Sequence, residues 1–438
     1  MPQRRNADWP RDTGVATLIR SEPIVSIRLH YGRRGRFECE VAAGRTAVAH
    51  ASPPPACDLA EELRSALEHP LDFPPFTQLF VPGDHVVLAL DRETPRAATI
   101  LAEVWKSLAQ RGIEPQSVHI LQPGGWDDDA PVDPRSELPA SVRTKVGWSI
   151  HNPGDKSSQA YLATTAKGER VYLARALVDA DVVVSIGALA FDSLIGYRGT
   201  SSVFYPGLSS SDAVRQAAGI GHSELTPEDE RPLRQLIDEV AWLLGSLFSI
   251  QVVPSSGSDV ASVLAGATEV VLRRGRELLA EHWLFEIDQR ADIVVAAVDS
   301  DAGGHGWRQI GMAVEAARNL VLRGGTIILL TELHAELTPG LELLRDSKSP
   351  RDALHPLRNL SPVDLVPASQ LAQAADWADV YLHSRLDDDV VRKLFMLPVV
   401  DDQGVRQLLD NRRSCVFLQS AQHTHGQVGA AKQCVRSP

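Results

Sequence analysis

Two hydrophobic periods alternate along the chain. Short unbroken apolar runs, the pattern of strands covered on both faces, alternate with stretches in which apolar residues recur every three or four positions, the pattern of helices. From Ile24 to Val41 the run IVSIRLHYGRRGRFECEV predicts two strands joined by a glycine turn. DLAEELRSALEHP predicts a helix with Leu59, Leu63 and Leu67 on one face. GDHVVLALD, RETPR and AATILAEVWKSLAQRG then read as strand, turn and helix, with Ile100, Leu101, Val104, Trp105 and Leu108 as the apolar face and Gly112 as a C′ glycine. SVHIL at 117–121 is the returning strand, so the unit is βαβ and its crossover right-handed.

Shorter strands follow around VGWSIH and ERVYLA, and then ADVVVSIG at 180–187, a buried strand that breaks at Gly187 into a loop punctuated by Gly196, Gly199 and Gly207. Ligands of parallel sheets bind just past such strand ends. Thr226, Pro227 and Asp229 suit the start of a helix through Leu244, with Pro232 as an alternative start. Residues 258–289 read as two helical runs. A second α/β half begins with ADIVVAAVD at 291–299, continues with a helix from Gln309 to Arg323 and the strand TIILL, and ends with DVYLH and CVFLQ. The expected architecture is two α/β domains with mainly parallel sheets and a cleft between them: a tail at 1–20, a first domain at 21–257, connecting helices at 258–289, a second domain at 290–420 and a tail at 421–438.

Composition sharpens this picture by exclusion. A net charge of −12 argues against a general nucleic-acid binder, because a polyanion demands clustered Lys and Arg. The four cysteines have neither zinc spacing nor the density of a disulfide scaffold, and neither an apolar leader nor a membrane-length apolar window is present. A cytoplasmic protein with a small-molecule ligand is the expectation.

No dinucleotide, P-loop, zincin or nucleophile-elbow motif occurs. The candidates are therefore positional. Asp91 ends a buried strand and either projects into the crevice or closes the turn before the helix. His305 lies just past another strand end, placed for a base or for plain backbone hydrogen bonding. His423 and His425 would share a face of a strand, as a metal pair or as surface residues.

With these pieces in order, residues 24 to 420 resemble the nickel-pincer-nucleotide lactate racemase family. The resemblance is carried by HYGRRGRFECEV, PPF with GDHVVLALD, the turn from Asp91 to Pro95, HNPGDKSSQAYLATTAKGERVYLARALVDADVVVSIG, GYRG with PG at 206–207, and WRQIGMAVEAARNLVLRGGTIILL. It implies an isomerase of 2-hydroxy acids whose lysine-tethered, nickel-bearing pyridinium nucleotide takes up and returns a hydride while two histidines move the proton.

Residue by residue, the resemblance keeps the frame and changes the machinery. Asp91 and Pro95 match, Thr94 stands at an arginine position, and Arg92 or Arg96 supplies a displaced guanidinium. Trp126 falls at the first catalytic histidine, where it blocks the pocket or stacks on a ring, and Asp192 falls at the second, where a carboxylate still serves as a base. Ser202 stands at the tethering lysine, between Gly199 and Gly207 of the cofactor loop. His222 is the candidate nickel ligand, Gln309 matches a substrate-contacting glutamine, and Met312 replaces a lysine. The expected function is that of a lactate-racemase-like protein with altered or lost racemase or epimerase activity on a hydroxy acid or sugar acid; the alternative is a non-catalytic ligand-binding or regulatory homologue.

Overall fold

Five consecutive aliphatic residues, Val86–Leu90, are all buried, and parallel strands flank them on both sides. This strand centres the first of two six-stranded sheets in the computed structural model, which describes residues 25–41, 45–125, 132–219, 221, 224–410 and 413–429. Across the first sheet the strands run Val260–Ala267, Phe248–Pro254, Val182–Ala188, Val86–Leu90, Val118–Gln122 and Gly147–Ile150. All are parallel except the Val260–Ala267 edge, which is antiparallel.

Across the second sheet the order is Leu397–Pro398, Asp379–His383, Val321–Leu330, Ala291–Ala297, Ser414–Leu418 and Thr46–His50, with every pairing parallel. Each sheet has one place where the chain's outward stepping reverses. In the first sheet it lies between Val86–Leu90 and Val182–Ala188, and in the second between Ala291–Ala297 and Ser414–Leu418. At such a point the connections leave in opposite directions and a crevice opens beyond the carboxyl ends.

Both sheets are covered on both faces. Helix Ala97–Gln110 buries Ile100, Leu101, Val104 and Leu108 on one side of the first sheet, and Gly112, at φ +83°, ends it as expected. Val87 and Ala89, pointing the other way, meet Leu173, Phe204 and Val240. In the second sheet Val294 and Ala296 face helix Trp307–Leu320, while Ile293, Val295 and Ala297 face the hairpin Val25–Tyr31/Gly35–Val41. Among the described residues no helix is long and apolar enough to cross a membrane.

The division of the chain differs from the expected one. Thr46–His50 pairs with Ser414–Leu418, and the hairpin before it packs Leu29 and Phe37 on the second sheet, so residues 25–50 belong with the second half and not with a continuous unit at 21–257. A strand's alternation states which face it buries and not which strand it lies beside. The stretch 258–289 is not two helical runs. Its first part, Val260–Ala267, is the antiparallel edge strand, and only Thr268–Trp283 is helical.

Pro232 starts the helix Pro232–Leu244, because it needs no N–H partner there; Thr226 and Asp229 instead close a separate turn, with Asp229 Oδ2 accepting the Thr226 N–H at 2.6 Å. Residues 421–429 are not a tail either: His425–Val428 pairs in parallel with Leu284–Ile287. The expected tail at 1–20 lies outside the described residues.

Candidate functional site

The two crevices open on one cleft of about 1170 Å³. Its walls come from the loops after the reversal strands: Asp91–Thr94 and Phe191–Gly196 in the first half, Ser300–Gly304 and Gln422–His425 in the second. Sheet topology therefore decides which residues meet, and segments far apart in sequence do so because their strands end side by side.

Glu93 lines the cleft three residues past the first reversal strand. Its carboxylate is held by Arg198 of the first half and, at 2.8 Å, by Nε of Arg308 at the start of helix Trp307–Leu320. The Glu93 side chain is only 16% exposed and that of Arg198 12%. Burial alone would raise the Glu93 carboxyl, but Arg198 and then Arg308 outweigh it and bring it down to about 2. One carboxylate thus joins guanidinium groups from both halves.

Next to it, Asp301 and His423 lie in loops at the second reversal. Asp301 Oδ1 accepts hydrogen bonds from Gly303 N at 2.9 Å and Gln309 Nε2 at 3.1 Å, and Oδ2 accepts one from Gln422 Nε2 at 3.3 Å. His423 Nε2 stands 3.8 Å from Asp301 Oδ2, with the ring packed on Trp283 at 5.1 Å between centroids. Burial, reinforced by Glu93, pushes the Asp301 carboxyl up to about 7, while burial, reinforced by Arg198, brings His423 down to about 4. Perturbed groups of this kind, gathered in a cleft, mark functional sites.

Comparison with known proteins agrees with the fold. Residues 31–225 match the family model of the lactate racemase N-terminal domain. Residues 31–225 are thus similar to a lactate racemase N-terminal domain, and the fold of the chain is lactate-racemase-like. Its fold is similar to that of the lactate racemase apoprotein from Thermoanaerobacterium thermosaccharolyticum, at 17% identity and a TM-score of 0.75, over 93% of this chain and 100% of that one. A Thermotoga maritima protein solved by structural genomics is similar at 15% identity and a TM-score of 0.65, over 87% of this chain and 100% of that one. No curated protein sequence matches the chain.

Within this lactate-racemase-like frame, Asp91, Arg92, Arg96, Asp192, Ser202 and Gly207 all line the cleft. Asp91 does both things open to it: it borders the cleft, and its Oδ1 accepts the Glu93 N–H at 2.9 Å. Asp192 Oδ1 likewise accepts from Leu194 N at 2.8 Å and Ile195 N at 3.1 Å, closing the turn between Ala190–Asp192 and Gly196–Arg198. Arg96 reaches Asp259 at 3.4 Å. The Ser202 hydroxyl accepts from Gly199 N at 2.9 Å, which fixes the loop. Gly199 has no substitute at φ +119°, because a Cβ there would come within 2.7 Å of the Leu189 side chain.

Gln309 departs from its expected contact with a ligand. It is 3% exposed and sits one layer behind the cleft, bonding Asp301 and accepting the Gly306 N–H at 3.1 Å. His305 takes the plain reading: Nδ1 donates to Asp299 O at 3.0 Å and Nε2 accepts the Glu332 N–H at 2.9 Å. His423 and His425 do not form a metal pair, since one faces Asp301 and the other packs on Phe191; among the described residues no group of three or more His, Cys, Asp or Glu side chains is arranged for a metal ion. Trp126 and His222 lie outside the described residues. Sequence reasoning missed Glu93, Arg198, Arg308 and Asp301 as site residues, although Glu93 stands three positions and Asp301 four past a reversal-strand end, and Arg308 one past a helix start.

Proposed function

We propose that this lactate-racemase-like protein binds a small hydroxy-acid or sugar-acid anion in the cleft between its sheets and does not carry out racemisation through a tethered nickel nucleotide. The observation that supports the ligand class is the Glu93 carboxylate between Arg198 and Arg308: the cleft floor already holds a carboxylate between cations from both halves. Arg231 adds a further guanidinium to the wall, 4% exposed, with Nε lacking a hydrogen-bond partner among the described residues. Buried arginine of this kind suits recognition of small oxyanions. The proposal places the protein in the cytoplasm, with a small molecule and no nucleic acid as its partner.

The nickel pincer nucleotide that the family implies does not fit the residues present. A serine hydroxyl has no amine for the family's linkage, and that of Ser202 is engaged with Gly199 N–H. Met312, a thioether, lines the cleft where the resemblance expects a lysine. No step is routed through that group.

A racemase or epimerase with altered chemistry is the second reading, favoured by Asp192 lining the same cleft as Asp91 and Ser202, where its carboxylate would be the base. Calorimetric titration with lactate, glycerate and gluconate, together with chiral analysis of each acid after incubation, tests both. Saturable binding without inversion is the expected result. Inversion of any acid establishes the second reading, and absence of binding across the panel removes the first.

A further inference from the structure

Asp301 and His423 are both buried at the cleft wall, and the fold uses only part of their hydrogen-bonding capacity. Gly303, Gln309 and Gln422 hold the Asp301 carboxyl from behind. On the other side, His423 Nε2 has no hydrogen-bond partner among the described residues. A buried ring nitrogen left so is costly unless something else completes it. The 3.8 Å between it and Asp301 Oδ2 is too long for a hydrogen bond. That gap is nonetheless short enough for one oxygen atom to lie about 2.8 Å from both, at an angle of roughly 85°.

We propose that Asp301 and His423 form a subsite for one hydroxyl group of the cleft ligand, whose oxygen bridges Asp301 Oδ2 and His423 Nε2. The proposal rests on the reading of the cleft as a hydroxy-acid site and adds what distinguishes a hydroxy acid from a plain carboxylic acid. A bridging hydroxyl donates to one neighbour and accepts from the other, so one neighbour must bring a hydrogen. The opposed effects of burial give that role to Asp301, raised to about 7, and leave His423, lowered to about 4, as the lone-pair acceptor. The charged groups facing the pair are Glu93 and Arg198 from the first half and Arg308 from the second; Gln309 and Gln422 are neutral. The imidazole packs against Trp283 in a tilted arrangement, with 5.1 Å between ring centroids.

The test compares lactate and glycerate with propionate, which lacks the hydroxyl, by calorimetric titration of the full chain. In the wild type each hydroxy acid binds about tenfold or more tightly than propionate, the discrimination expected of a buried site that loses its hydroxyl partner. His423→Phe keeps the aromatic packing on Trp283, and Asp301→Leu keeps the volume between Gln309 and Gln422 while removing the donor. Both variants bring that ratio close to one. A ratio that survives in both variants overturns the subsite, and so does a wild type that binds propionate as tightly as lactate, while either result leaves the anion-binding reading standing. If none of the acids binds, both proposals fall.

Discussion

Removing the Glu93 carboxylate is the sharpest perturbation available. Glu93→Gln keeps the volume and leaves the Arg198 and Arg308 guanidiniums facing each other in a site where the Glu93 and Arg198 side chains are 16% and 12% exposed. Breaking a buried ion pair by removing one partner costs about 3–5 kcal/mol, and the low end applies because Arg308 is 34% exposed. The carboxyl itself gives a second route to the figure. A fall from the ordinary 4.5 to about 2 corresponds to about 3 kcal/mol at ~1.4 kcal/mol for each tenfold change in proton affinity.

For a chain of this length the unfolding entropy is about 0.9 kcal/mol per kelvin, so a cooperative melt falls by about 3 °C, and by more if one half melts alone. The sign with pH follows from the direction of the shift. A lowered carboxyl stabilises fully above its unfolded value and loses that contribution as the pH falls from about 4.5 towards about 2. The wild-type advantage over Glu93→Gln should therefore be constant from pH 8 to about pH 5 and narrow below pH 4.5. Differential scanning calorimetry of Glu93→Gln, Arg308→Met and the double variant measures it, with the double variant losing less than the sum of the singles. Equal melting of wild type and Glu93→Gln at pH 7, or strict additivity in the cycle, would refute the reasoning.

Three further outcomes follow from the same geometry. Gly199→Ala places a methyl group 2.7 Å from Leu189 Cδ2 and 3.0 Å from Gln251 Oε1 at φ +119°, so thermal melts should show a loss of at least about 1–3 kcal/mol. His50, His423 and His425 are each lowered to about 4, first of all by burial; a lowered base stabilises above about 6.5, so melting temperature should drop as the pH falls from 6.5 to 4, less steeply in His50→Phe. Asp301 is displaced the other way, to about 7, and its contribution is lost as the pH rises from about 4 through 7; Asp301→Asn should gain on the wild type over that range in the same melts.

Much of the frame was legible because local pattern and tertiary role coincide. The βαβ unit from Val86 to Gln122 is written in a five-residue apolar run, a helical face and a C′ glycine, and the structure contains each. Pattern failed where the partner and not the period decides. Thr46–His50 alternates as any half-buried strand does, and nothing in it names Ser414–Leu418 as its neighbour. Val260–Ala267 is apolar enough for either period, and its pairing with Phe248–Pro254 settled the matter.

The site shows the same division. Asp91 is legible from the strand it follows, and Asp192 from the resemblance that sets it at a catalytic histidine position. His423 reads from the sequence as half of a metal pair or as a surface residue, because the pattern does not show the reversal at Ser414–Leu418 that carries it to Asp301. Arg198 and Glu93 lie in separate loops, and nothing in either loop's pattern names the other as its partner.

On the proposed function, the cleft keeps a lactate-racemase-like frame and binds a hydroxy-acid anion directly in place of a tethered nickel nucleotide. Native mass spectrometry of the full chain, produced together with the cofactor-making enzymes and nickel and then mixed with lactate, glycerate or gluconate, reads both parts at once. The expected result is the unmodified chain mass, no nickel, and one acid molecule bound for each chain. A chain carrying a covalent nucleotide with stoichiometric nickel would contradict it.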